Sequence, residues 1–129
     1  MRPRSLLLLT VALAAAPALT ACGSDSGAST SASGGSVAVT ATDSTCEPAT
    51  TTLPAGDTTF SVTNKGTKTT ELYVYAASGD AFTKVVGEVE DVAPGTSRQL
   101  SAQLSAGTYE LACKPGQSGD GIRTKITVS

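Results

Sequence analysis

This 129-residue sequence has no histidine and no tryptophan, and its one methionine is Met1. The missing histidines remove the commonest general base and the commonest activator of a nucleophile. No serine or threonine sits in a motif that would activate it instead, so no catalytic machinery is legible and the chain reads as a non-enzyme. Aromatics are scarce: Phe60, Phe82, Tyr73, Tyr75 and Tyr109 are all there are. No basic cluster is present, which excludes nucleic-acid binding and electrostatic attachment to anionic lipid. The only long apolar run is too short and too alanine-rich for a transmembrane span.

That run lies at the amino terminus. Arg2 and Arg4 precede Leu6 to Leu19, "LLLLTVALAAAPAL", and small residues follow. This is the layout of a secretory signal peptide over residues 1–21. The boundary "LTAC", Leu19 to Cys22, resembles a bacterial lipobox, which implies cleavage before Cys22 and a lipid thioether on its sulfur. The next residues, "GSDSGASTSASGGS", offer nothing larger than alanine for a core. Residues 22–36 therefore read as a flexible tether, and 37–129 as one small domain. Cleavage leaves seven Lys/Arg against eleven Asp/Glu, a net charge of −4. The expected location is outside the cytoplasm, anchored by lipid to the bacterial cell membrane.

Residues 37–129 carry no helical period. Short Thr- and Val-rich runs alternate in polarity and are broken by Gly and Pro, the pattern of an all-β domain. The runs are 36–42, 50–53, 58–64, 71–76, 82–89, 97–104, 108–113 and 124–128. Turn residues such as "PAGD", "NKGT", "ASGD" and "APGT" separate several of them. About eight short strands with one apolar face each imply a Greek-key β-sandwich or barrel. By the period of two, Cys113 shares the inward face of Leu111 and Tyr109. Glu71 shares a face with Tyr73 and Tyr75, opposite Leu72 and Val74, and both faces contain large side chains. Glu88 and Glu90 share a face, and Asp91 points the other way. Tyr109 is expected to pack in the core with its hydroxyl on a nearby backbone group.

Three cysteines less the lipidated Cys22 leave Cys46 and Cys113. Outside the cytoplasm two such residues are first expected to pair as a disulfide. The alternatives are a pair of metal thiolates and a redox-switching pair.

The order of motifs resembles a known family. "CEPATTTLPAGDTTFSVTNKG" (Cys46 to Gly66) and "VEDVAPGTSRQLSAQLSAGTYELAC" (Val89 to Cys113) are similar to the cupredoxin-like domain at the front of EfeO-type bacterial iron-uptake proteins. The resemblance spans about residues 37–129. It implies a cupredoxin-type sandwich, a copper- or iron-binding accessory role, and a metal-transport protein as partner. It implies Cys46, Glu71, Glu88, Glu90 and Cys113 as metal-ligand positions. Without histidine, a blue-copper centre of two histidines and a cysteine cannot form. The sequence stops at Ser129, without the carboxyl-terminal metal-binding domain of the EfeO type, so a donor, sensor or accessory role is expected. A competing reading is an envelope interaction domain that binds no metal and keeps a structural Cys46–Cys113 disulfide.

The anchor is directly testable. Cys22→Ser is expected to move the protein from the membrane to the soluble fraction; unchanged retention in membranes would reject lipidation at Cys22.

Overall fold

The computed structural model describes residues 35–129. Cys22, the expected signal peptide and nearly all of the expected tether lie outside these residues. Among the described residues nine strands form: β1 (Ser36–Ala41), β2 (Cys46–Pro48), β3 (Thr52–Leu53), β4 (Gly56–Asn64), β5 (Thr70–Ser78), β6 (Ala81–Val92), β7 (Ser97–Leu104), β8 (Gly107–Cys113) and β9 (Ile122–Val128). The all-β sandwich anticipated from alternation is therefore present, and β7 matches its expected run to the residue. The added strand is β2, a three-residue segment ending in proline that is too short to show a period.

The strands make two sheets, one ordered β2-β1-β4-β7 and the other β3-β9-β8-β5-β6. Most neighbours are antiparallel; β1 runs parallel to β4 and β3 parallel to β9. Register defines two poles. At one, Ala41 lies beside Asn64 and Cys46; at the other, Ser36 begins β1 beside Thr59.

Alternation then builds the core. Val39, Phe60, Val62 and Leu104 point inward from the four-stranded sheet, and Leu72, Val74, Leu111 and Ile126 from the five-stranded sheet. Each of the eight is at most 1% exposed. Burial of such a side chain contributes about 1.5–3 kcal/mol. Tyr109 packs against this core, and its hydroxyl donates to the Ser105 carbonyl at 2.9 Å, as the sequence suggested. The ambiguous faces of β5 are resolved: Leu72 and Val74 are in the core, while Glu71, Tyr73 and Tyr75 take the outer face.

Cys46 and Cys113 are joined by a disulfide, with S–S 2.00 Å and Cα–Cα 5.5 Å. The bond ties β2 of one sheet to β8 of the other, inside the sandwich, where the two residues are 2% and 0% exposed. Thr124 Oγ1 adds a hydrogen bond of 2.7 Å to the Cys46 carbonyl.

The cysteines are 67 residues apart. The chain-entropy treatment gives such a loop about 4 kcal/mol of stabilisation. The double variant Cys46→Ala/Cys113→Ala is expected to lose stability on that order in denaturant titration. The native protein should show no thiol from these two positions until reduced and unfolded. Two reactive thiols in the native protein would contradict the bond.

Candidate functional site

The outer face of the five-stranded sheet collects most of the charged side chains of interest. The cause is register. Tyr73 on β5 lies opposite Glu88 on β6 on one side and Ala112 on β8 on the other. Paired residues share a face, so Glu88 stands beside Tyr73. Between Thr70↔Val92 and Leu72↔Val89 the ladder slips by one residue. This bulge sets Glu71 against Glu90 and Asp91. Asp91 takes up the extra residue with a left-handed φ of 55°, which aspartate tolerates better than most residues. Its carboxylate accepts a 2.7 Å hydrogen bond from Gln117 in the loop after β8. Glu71, Glu88 and Glu90 are thereby brought around one phenol.

Other residues fix the frame. Asn64 ends β4 and is buried. Its Nδ2 donates to the carbonyls of Lys68 and Val92 at 2.7 and 2.8 Å, and its Oδ1 accepts from Gly66 N–H at 2.8 Å. One amide thus holds the segment entering β5 against the end of β6. The Lys114 N–H donates to the Glu71 carbonyl at 2.9 Å, which carries the β8 ladder one residue past the disulfide. Gly121 closes the following loop: a Cβ there would come within 2.8 Å of the Cys113 carbonyl oxygen, and its φ is +76°. Only glycine suits both conditions.

The chemistry of the face is mixed. The Tyr73 and Tyr75 rings stack with centroids 5.5 Å apart and planes at 9°. Lys114 Nζ lies 4.0 Å from the Tyr73 centroid, and the Arg123 guanidinium 4.5 Å from that of Tyr75. Arg123 also pairs with Glu110 at 3.0 Å, the one salt bridge among the described residues. Tyr73 Oη reaches Glu90 Oε1 at 3.5 Å, the outer limit of a hydrogen bond. Glu71 is only 8% exposed as a residue, but Thr58 Oγ1, and not a Glu71 carboxylate oxygen, is the one buried side-chain oxygen or nitrogen without a partner among the described residues. Desolvation, followed by the negative charges of Glu71, Glu88 and Glu90, pushes the Tyr73 phenol up to about 12.

The structure divides the five expected ligand positions. Cys46 and Cys113 face inward and are bonded to each other, so neither is a thiolate in this state. Glu71, Glu88 and Glu90 lie outside, on the far side of the sheet from the sulfurs. Among the described residues no group of three or more Cys, Asp or Glu is already arranged to grip one ion, and no ligand-sized cavity is present. A blue-copper centre does not fit, because the face offers oxygen donors alone. Sequence reasoning passed over Tyr73, Lys114 and Asn64. For Asn64 the available signal was its place before the "KG" turn. Tyr73 carried no signal beyond sharing a strand face with Glu71.

The raised phenol has a defined consequence for stability. A folded value of about 12 against an ordinary 10.0 means that the folded protein holds the proton more tightly than the unfolded chain. The resulting stabilisation is complete below the unfolded value and is lost as pH rises through the folded one. The wild type is therefore expected to lose stability between about pH 10 and 12 relative to Tyr73→Phe. The variant should also lack the most alkaline step of the tyrosine ultraviolet titration; coincident titrations of the two proteins would refute the assignment.

Comparison with known proteins agrees with this architecture. Over 77 residues the chain is 39% identical to the iron uptake system component EfeO of Escherichia coli K12, covering 60% of this chain and 19% of that protein. The same identity and coverage hold for EfeO of Shigella flexneri. The chain thus spans about a fifth of the length of these curated relatives. Among solved structures it is similar to reduced auracyanin of Roseiflexus castenholzii, with a TM-score of 0.56 and 16% identity over 73% of this chain and 96% of that one. Auracyanin A of Chloroflexus aurantiacus, a blue copper protein, gives 0.54 and 13% over 73% and 98%. These two likenesses carry the fold alone. The sequence profile of the cupredoxin-like domain matches residues 6–128, and the chain belongs to that family.

Proposed function

We propose that this protein is an extracytoplasmic, lipid-anchored cupredoxin-like accessory that binds iron as cargo and hands it to a metal-transport partner. The reading gives it no catalytic role and no nucleic-acid partner. The observation that carries it is the placement of Glu71, 8% exposed as a residue, on the same outer face of the sheet as the exposed Glu88 and Glu90. The resemblance to an iron uptake component supports iron as the cargo. Donor chemistry supports it as well, since carboxylates suit hard cations and thiolates suit Cu(I). Copper would enter as Cu(I) at Cys46 and Cys113 after reduction. Cys22 supplies the anchor and residues 22–36 the tether.

A second reading, an envelope interaction domain without metal, is favoured by the closed disulfide. Calorimetry separates the two. Oxidised wild-type protein is expected to take up iron, and Glu71→Gln/Glu90→Gln to bind it at least about tenfold more weakly, the scale on which metal-site partners act. Equal affinity in wild type and variant would reject the carboxylate site. The absence of iron binding in the oxidised wild type would leave the interaction-domain reading standing.

A further inference from the structure

Beyond the accessory reading, and independently of it, we propose that the outer face of the five-stranded sheet is a self-complementary docking surface for a second copy of this chain.

The face carries charge of opposite sign on its two sides. Register runs one row of side chains across four strands: Arg123 on β9, Ala112 on β8, Tyr73 on β5 and Glu88 on β6. The next row is Lys125, Glu110, Tyr75 and Val85. Cations thus occupy the β9 side, and Glu88 and Glu90 the β6 side. Among the described residues Arg123–Glu110 is the only ion pair, so the exposed Lys125, Glu88 and Glu90 are unmatched within one copy. A two-fold axis along the strands, between β8 and β5, exchanges β9 with β6. It sets Arg123 and Lys125 of each copy against Glu88 and Glu90 of the other, and each match is made twice. A partner of one charge sign would be repelled by one side of this face. A second copy meets both sides with the opposite sign.

The middle of the face has the composition of an interface core. Three of the five aromatic side chains, Tyr73, Tyr75 and Phe82, lie here and not between the sheets, in a sandwich already short of aromatics. Val85, paired with Tyr75, is 45% exposed, the one exposed large hydrophobic side chain among the described residues. Tyrosine and arginine are enriched at interface hot spots. Here they are held before any partner arrives. The tyrosine rings stack, and Arg123 donates to the Phe82 and Asp120 carbonyls at 2.8 and 3.1 Å. Ordering them on association therefore costs little. Four strands about 4.8 Å apart make a small contact, so the dimer is weak and reversible.

The disulfide-intact Cys22→Ser protein is examined by sedimentation equilibrium up to about 1 mM, a range suited to a small contact. A chelator is present, because iron at Glu88 or Glu90 would compete with the second copy. A monomer–dimer equilibrium is expected, weakening as salt is raised. Glu88→Lys/Glu90→Lys, at two exposed positions, should weaken the dimer at least about tenfold by placing like charges against each other. Lys125→Glu should weaken it as well. Mixed together, the two variants should form a heterodimer tighter than either homodimer, a recovery that also shows both to be folded. Monomer at every concentration, a dimer indifferent to the variants, or a mixture no tighter than its components overturns the proposal. Each of these results leaves the iron reading to its own calorimetric test.

Discussion

The covalent bond between Cys46 and Cys113 decides two things at once. It fastens the two sheets together at one pole of a small sandwich that is poor in aromatic residues. It also removes both thiolates from the chemistry the domain can perform. Cys113 ends β8 just before a loop. Here its sulfur is spent on structure. What remains near that pole is oxygen, arranged on the opposite face of the sheet. The disulfide therefore shapes the donor set by subtraction as well as by rigidity.

Rigidity at that pole depends on a few polar contacts. Asn64 satisfies three backbone groups, two in the β4–β5 connection and one at the end of β6, and fixes where β5 starts relative to where β6 ends. The bulge at Asp91 then absorbs one residue between Thr70↔Val92 and Leu72↔Val89, so that Glu71 faces Glu90 and Asp91 together. Without the slip, period-two alternation along β6 would run unbroken to Val92 and turn it out of the core, with Thr70 opposite Asp91 instead of Val92. The candidate site is thus a product of ladder geometry and not of a loop. This suits a binding face that must hold several like charges close together.

Much of this was legible in the sequence and some was not, for physical reasons. Alternation gave the core faces of β1, β4, β7, β8 and β9, because each has apolar residues on one side only. It also turned Cys113 inward and put Glu88 and Glu90 on one face. It failed for β5, where Leu72 and Val74 on one side compete with Tyr73 and Tyr75 on the other. Tertiary neighbours settle that strand: Lys114, just past β8, and Arg123 on β9 cover the tyrosines and let an aromatic face lie outside. β2 escaped notice because three residues carry no period. The gathering of Glu71 with Glu90 was invisible because it depends on the register between β5 and β6, which neither strand encodes alone.

The direction in which the chain enters the sandwich has a spatial consequence. β1 starts at Ser36, at the pole away from Asn64 and the disulfide, and runs six residues toward them. At about 3.3 Å per residue this puts the point of entry roughly 20 Å from the acidic face. A domain held to a surface by the chain before Ser36 would stand with Glu71, Tyr73 and Glu90 at its outer tip. The far side would be open to an approaching molecule, and the surface would lie behind it.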